Sequence, residues 1–447
     1  MNNLKIAFVP LARTTFDIPF AKEIADAAKN TLVSAPLDLV GPADLITDAL
    51  GVEQAVQDLV GVEIDLVVIF QATFADSSMA TALAEALDAP IFLWAVPEPL
   101  TGGRLRLNSL CGINLAGHAL TRAGIFYGYV YIAPDDLSVL EKITVYARAG
   151  RACRTLQDAQ LGRVGENPDG FETCLLRPAE IKNRFGLEVV QLHLQEDIFS
   201  KVRAVKPSCT QPIKDNLAQK VSNLDEMDAD AVHGSLGTYH ILQGIAKERD
   251  IQGFAIRCWP EFFTELGCAA CGAMSMLSDE MIPCSCEADV NGTITQLILQ
   301  SISGSQAFGT DMVSVDEERD ALVLWHCGLA PLSMADPQSE KRVTVHSNRQ
   351  LPLLMEFPLK PGRVTFARLS EATGDFVLAI GEGEIIRAPQ SFSGTSGLIK
   401  FDQPAIDVLH TILGEGLEHH ISITYGNYKE ELIALASMLD LPLIHIS

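Results

Sequence analysis

Positive charge is scarce in this sequence. Lys and Arg number 33 against 57 Asp and Glu, a formal net charge of -24. Phosphate backbones and anionic lipid surfaces are gripped by concentrated Lys and Arg, so neither nucleic acid nor a membrane is expected as a partner. No apolar run approaches the ~20 residues that cross a bilayer. The opening "MNNLKIAFVPLARTTFD" has no basic stretch followed by a long apolar core, so it does not read as a secretory signal. The ten cysteines are therefore expected as reduced thiols of a cytoplasmic protein. Neither "FVPLART" nor "IFQATF" carries G-x-G-x-x-G, which leaves a dinucleotide site unsupported, and no G-x-S-x-G nucleophile motif occurs. Repeats and low-complexity segments are absent.

What is present is apolar and alternating. The 447 residues are 48% hydrophobic, enough for two or three cored domains. From residue 1 to about 140, buried-strand runs ("LKIAFVP", "IDLVVIF", "APIFLWAV") alternate with amphipathic runs ("FAKEIADAAKNTL", "DSSMATALAEALD"). This predicts a parallel sheet covered by helices. A second α/β region is expected over 141–312, containing "ADAVHGSLGTYHILQGIAKERDIQGFAIRCW". From 313 to 447 the character changes to short strands punctuated by Gly, Pro, Asp and Ser, such as "KRVTVHS", "GRVTFARLS" and "DFVLAIGEGEII". That pattern predicts an antiparallel barrel or sandwich.

Two groups of residues carry metal chemistry as a question. Cys268 and Cys271 form a C-x-x-C, and Cys284 and Cys286 a C-x-C. The surrounding "CAACGAMSMLSDEMIPCSC" is so apolar that buried core thiols are preferred to a zinc site. The second group is acidic. "FAIRCWPEFF" ends a strand at Trp259, Pro260 and Glu261, and "IPCSCEADVNG" ends another at Glu287 and Asp289. One crossover helix between them makes the strands neighbours, so the carboxylates converge at one sheet edge. With an imidazole they suit a hard or borderline divalent cation. Late in the chain, "GEGLEHHISITYG" offers the doublet His419 and His420. Each residue alone is as well explained as a helix cap or a strand-end group.

The order "CWPEF … CEADV … WHCG … GRVTFARLS … EHHISITYG … LASML.LP" resembles the L-fucose and L-arabinose isomerase family, most clearly from about 250 to 447. The resemblance implies an aldose–ketose isomerase working through a cis-enediol. It implies Mn2+, with Mg2+ or Co2+ as substitutes, and a homo-oligomer, trimer or hexamer, acting on a hexose, deoxyhexose, pentose or modified sugar such as a sulfonated one, with the choice among them open. Carried across, the metal ligands are Glu261, a second acid that is either Glu287 or Asp289, and His420, with Glu261 and Asp289 as the proton-transferring pair. Expected near substrate are His326 in "LWHCGLAP", His419, Trp259, Trp94, His118 and Asn167, and with less weight Asn114, Glu98, Asp169 and Phe171. Arg104, Arg106, Arg151 and Arg163 are the cations considered for an anionic group. Two other readings stay open: a non-catalytic sugar-binding protein of the same fold, and a metal-dependent hydrolase or lyase.

Overall fold

The computed structural model describes residues 3–447. Its first sheet is built from the expected apolar runs: β1 (Leu4–Leu11), β2 (Leu37–Val40), β3 (Leu66–Gln71), β4 (Ile91–Ala95) and β5 (Tyr127–Tyr131), all parallel, in the order β2-β1-β3-β4-β5. Every residue of β3 and β4 is buried, as continuous apolar strands must be when helices cover both faces. Val67, Ile69 and Leu93 face one helical layer, while Val68, Phe70, Phe92 and Trp94 face the other. This compact unit runs to Arg154 and takes in Glu430–Asp440 from the end of the chain, where Glu431 accepts a bond from Arg148 at 3.0 Å.

The second unit, Thr155–Lys429 with Leu441–Ser447, holds two sheets. β6 (Gln160–Val164), β7 (Glu188–Leu192), β8 (Gly253–Ile256) and β9 (Cys284–Ser285) are parallel in the order β7-β6-β8-β9. The remaining strands are β10 (Phe308–Asp316), β11 (Ala321–His326), β12 (Arg342–Thr344), β13 (Leu354–Pro358), β14 (Gly362–Ser370), β15 (Val377–Ile386), β16 (Thr395–Lys400), β17 (His420–Tyr425) and β18 (Leu443–His445). Six of them close antiparallel into a ring, β16-β11-β10-β17-β14-β15 and back to β16. Closure removes the exposed edges that an open sheet of this length would carry. The architecture is therefore two parallel α/β sheets followed by an antiparallel barrel. No described helix is long and apolar enough to cross a membrane.

The helix Val290–Ser303 joins the sheet to the barrel. It is buried from Val290 to Ile302 and packs against β8 as well as β14 and β17, and a helix enclosed all round needs its polar side chains satisfied. Several are: Thr293 donates to Phe254 O, Gln296 to Cys284 O and Ser285 Oγ, and Thr295 Oγ1 accepts from Leu369 N, while Asn291 Oδ1, Gln296 Oε1 and Gln300 Nε2 have no hydrogen-bond partner. The strand ends that carry the acidic residues are thereby fixed against the barrel.

The cysteine expectation is corrected at one pair. Cys258 and Cys286 form a disulfide tying the chain just after β8 to the chain just after β9. Twenty-eight residues separate them in sequence, and only the pairing of β8 with β9 makes them neighbours. Cys268, Cys271 and Cys284 are buried free thiols, as the core reading expects.

Candidate active site

The C-terminal ends of β8 and β9 deliver Trp259 and Glu287, and the barrel delivers the rest. Glu287 leaves β9 with a left-handed backbone, φ 59° and ψ 24°, and Ala288 follows at φ 56°. Side-chain-bearing residues adopt this region at a cost of about 1–2 kcal/mol, and such strain collects at functional sites. The reversal lets Asp289 cap the next helix, its Oδ1 accepting from Gly292 N at 2.9 Å. A Cβ on Gly292 would lie 2.5 Å from Asp289 Oδ2, so that position has to be glycine.

Asp289 is buried and fully engaged. Arg368 of β14 donates to it from Nη1 at 2.5 Å and from Nη2 at 3.2 Å, and His420 Nδ1 lies 3.0 Å from Oδ2. Behind it, Arg368 Nε is 3.4 Å from Glu418 Oε2. Burial opposes ionisation of Asp289, but the Arg368 charge and the His420 bond outweigh it and hold the carboxyl well below its usual range. Every strong partner an ionised Asp needs is already present.

The other side of the His420 ring is different. His420 opens β17 directly opposite Asp311 of β10. With Nδ1 committed to Asp289, Nε2 faces Asp311 Oδ1 at 3.4 Å and Glu287 Oε2 at 3.8 Å. His326, at the end of β11, places Nδ1 3.6 Å from Asp311 Oδ2. Asp311 Oδ1 and both His326 ring nitrogens are nevertheless buried without a hydrogen-bond partner. A neutral His420 donating from Nδ1 would turn a lone pair toward two carboxylates, an arrangement that calls for a proton or a cation between them. Burial works against a charged His420, yet its bonds to Asp289 and Cys174 and the Asp311 charge raise its pKa well above the usual value. Burial pushes His326 the opposite way, to about 4, so it stays a neutral imidazole, the form that ligates metals.

Glu287 is held by aromatic neighbours. Trp259 Nε1 donates to its Oε1 at 3.2 Å, and His419 Nε2 lies 3.1 Å from Oε2. His419 Nδ1 is in turn 3.1 Å from Thr173 Oγ1, while Phe171 packs edge-on against both Trp259 and His419. Burial raises the Glu287 pKa, but His419, His420 and the indole N–H bring it below the ordinary value. Asp311, His326 and His420 offer ligand atoms within 4.8 Å of one another, and so do Glu287, His419 and His420. The orphaned buried atoms and this oxygen-and-imidazole donor set fit a divalent cation.

Of the residues anticipated from sequence, the structure gathers Glu287, Asp289, His419, His420, His326 and Trp259. Glu261 does not join them. Both its oxygens are taken by Arg257 Nε, at 3.0 and 2.8 Å, and it belongs to none of the convergent groups. Arg257, four residues earlier, engages both carboxylate oxygens. Asn167 accepts from Arg163 at 2.8 Å and donates to Phe171 O, supporting the aromatic wall. In the first unit Trp94 is no surface group: it is wholly buried, edge-on to Phe70, with Nε1 donating to Ile132 O. His118 and Asn114 are exposed along a cavity of about 580 Å³ with Tyr127 and Tyr129. Sequence reasoning missed Asp311. Its only signal was a carboxylate within "FGTDMVSVD", and its significance rests on register with His420.

Residues 7–157 match the fucose/sulfoquinovose isomerase N-terminal domain, and residues 324–447 match the L-fucose isomerase C-terminal domain. Over full length the chain is similar to the sulfoquinovose isomerase of Alkalicoccus urumqiensis, 32% identical over 444 residues and 99% of each chain. It is equally similar in extent to that of Priestia aryabhattai, 30% identical over 442 residues, again 99% of each. A sulfoquinovose isomerase of Clostridium sp. (strain MSTE9) is 31% identical over 445 residues and 99% of each.

Proposed function

The chain belongs to the fucose/sulfoquinovose isomerase family and is an aldose–ketose sugar isomerase, and we propose that its reaction centre is Glu287, Asp311 and His420 around one divalent cation, Mn2+ by family resemblance. The observation that carries this assignment is the pair of carboxylates turned toward the unshared nitrogen of His420. Asp289, expected as a ligand, is assigned instead to holding the ring: it fixes which nitrogen of His420 faces the centre. Glu261 is assigned to neutralising Arg257. The bound cation would draw electrons from a sugar carbonyl and its neighbouring hydroxyl. Moving a proton between C1 and C2 through a cis-enediol needs a base at carbon and an acid at oxygen, and Glu287 and Asp311 supply one carboxylate for each. His326 and His419 bind substrate hydroxyls, and Trp259 with Phe171 walls the sugar from water.

Sulfoquinovose, a sulfonated hexose, is the proposed substrate, because the full-length relatives carry that name. The division of labour is 1–140 for recognition and oligomer contacts, 141–312 for Glu287, and 313–447 for the histidines, with Asp311 on the barrel strand β10 that crosses the last boundary. Exposed Tyr129 and Tyr131 on the edge strand β5 suit burial against another copy, in keeping with a homo-oligomeric trimer or hexamer.

The test is turnover of sulfoquinovose by Mn2+-loaded protein in D2O. Ketose carrying solvent deuterium is expected, with at least a ~10³-fold loss in Glu287→Gln and Asp311→Asn, the scale of removing an acid–base or electrostatic group. Wild-type turnover in either variant would overturn the assignment.

A further inference from the structure

The site holds cations whose charge is mostly spent. Arg368 answers Asp289 and Glu418, and Arg257 answers Glu261. Elsewhere, Arg106 pairs with Asp17 and Arg151 with Asp65, and Arg104 donates to Thr15 O. Arg163, bonded only to the neutral Asn167, and Arg349 are exceptions, and of the two it is Arg349 that stacks on the site's indole. Arg349 lies in the loop between β12 and β13, half-buried, and no described carboxylate lies within ion-pair distance of it. Its guanidinium carbon sits 4.9 Å from the ring centre of Trp259 and 5.1 Å from that of Phe263. One nitrogen is 3.1 Å from His346 Nε2.

That placement gives Trp259 two jobs. Its indole N–H holds Glu287 Oε1, and its face carries an unneutralised cation. A guanidinium stacked on aromatic rings is preorganised, keeping its in-plane N–H groups for a ligand with two or three acceptor oxygens. Leaving such a group half-buried without a counter-anion has a cost that an anionic ligand would relieve. Building on the isomerase reading above, we infer that Arg349 is the specificity-determining residue that binds the anionic end of the sugar, its sulfonate. The reacting end lies at Glu287 and the far end at Arg349, with the indole spanning the interval.

The experiment compares full-length, Mn2+-loaded wild type with Arg349→Gln, Arg349→Lys and, as a contrast, Arg163→Gln. Turnover of sulfoquinovose and of quinovose, its counterpart without the sulfonate, is measured beside calorimetric binding of methyl sulfoquinovoside, which cannot open and isomerise. Arg349→Gln should lose about ten- to hundred-fold in kcat/KM for sulfoquinovose, mainly through KM, as expected for a lost charge-assisted hydrogen bond. Quinovose kinetics should be unchanged, and Arg349→Lys should recover part of the loss. Equal losses on both sugars, no loss, or a selective loss in Arg163→Gln alone would each overturn the assignment. If wild type isomerises quinovose and not sulfoquinovose, the substrate reading fails. Arg349 is then judged on the glycoside: binding lost in Arg349→Gln supports it, and no wild-type binding overturns it.

Discussion

The two sides of the His420 ring are built to opposite standards. On the Nδ1 side Asp289 has a partner on each oxygen and forms a buried chain of ion pairs with Arg368 and Glu418, although the outer link, Arg368 Nε to Glu418 Oε2 at 3.4 Å, is not a completed hydrogen bond. On the Nε2 side Glu287, Asp311 and His326 come close without completing their hydrogen bonds, and Asp311 Oδ1 and both His326 nitrogens are orphans. Native interiors satisfy almost every buried polar group. An imidazole whose direct Nδ1 partner is fully satisfied and whose Nε2 partners are not therefore separates scaffold from chemistry within about one side chain's width. Carboxylates of the same type do different work because of what surrounds them.

The contrast breaks hardest on its finished side. Replacing Arg368 with Met, or Asp289 with Asn, should destabilise the fold by about 3–5 kcal/mol, the cost of stranding one partner of a buried pair. Denaturant unfolding of the metal-free protein measures it, and a loss under ~1 kcal/mol would show that the chain of pairs is dispensable. The same measurement on Asp311→Asn should move stability by no more than about 1 kcal/mol, in either direction, because no hydrogen bond is lost and the relief of like charge beside Glu287 offsets the lost attraction to His420. A large loss there would erase the distinction between the two sides.

A pH series sharpens it further. His420 has a folded pKa above its ordinary 6.5, so its contribution to stability is complete below that value and fades as pH rises through the folded pKa. A ligated His420 carries no proton on Nε2, so cation affinity should instead climb over the same range. Melting temperatures should thus fall with pH above about 6.5 in metal-free protein and fall less, or rise, at fixed sub-saturating Mn2+. Parallel curves would mean His420 is not a ligand. The smallest effect belongs to the other unit: Trp94→Phe should cost about 1–3 kcal/mol of stability from lost packing and the Ile132 bond, with kcat and KM unaltered. A kinetic change would return Trp94 to the substrate.

Much of the scaffold was legible beforehand. Runs such as "LVVIF" and "IFLWA" between turn signals read as strands buried on both faces, and the Gly- and Pro-punctuated segments after 313 read as short strands, most of them antiparallel, although β13 and β18 also pair in parallel. The "CEADVNG" turn and the histidine doublet were readable as candidates because each combines polar groups with a strand end. The pairing of Glu261 with Arg257 was not legible, because a carboxylate after Trp-Pro at a strand terminus looks the same whether it faces a metal or an arginine four residues back. The burial of Trp94 was likewise not legible, since its ring lies inward from a strand whose end is at the surface. The Cys258–Cys286 bond was invisible because sequence separation carries no information about lateral strand order.

By itself, then, the sequence determined the two parallel sheets, the antiparallel barrel and the neighbourhood of Glu287 and His420, because hydrophobic period and turn chemistry are local properties. Tertiary structure alone decided that Asp311 stands opposite His420, that Asp289 belongs to Arg368, and that Arg349 rests uncompensated on Trp259. Those facts depend on barrel register and on which charges meet across strands far apart in the chain, and no local pattern encodes a distance of that kind.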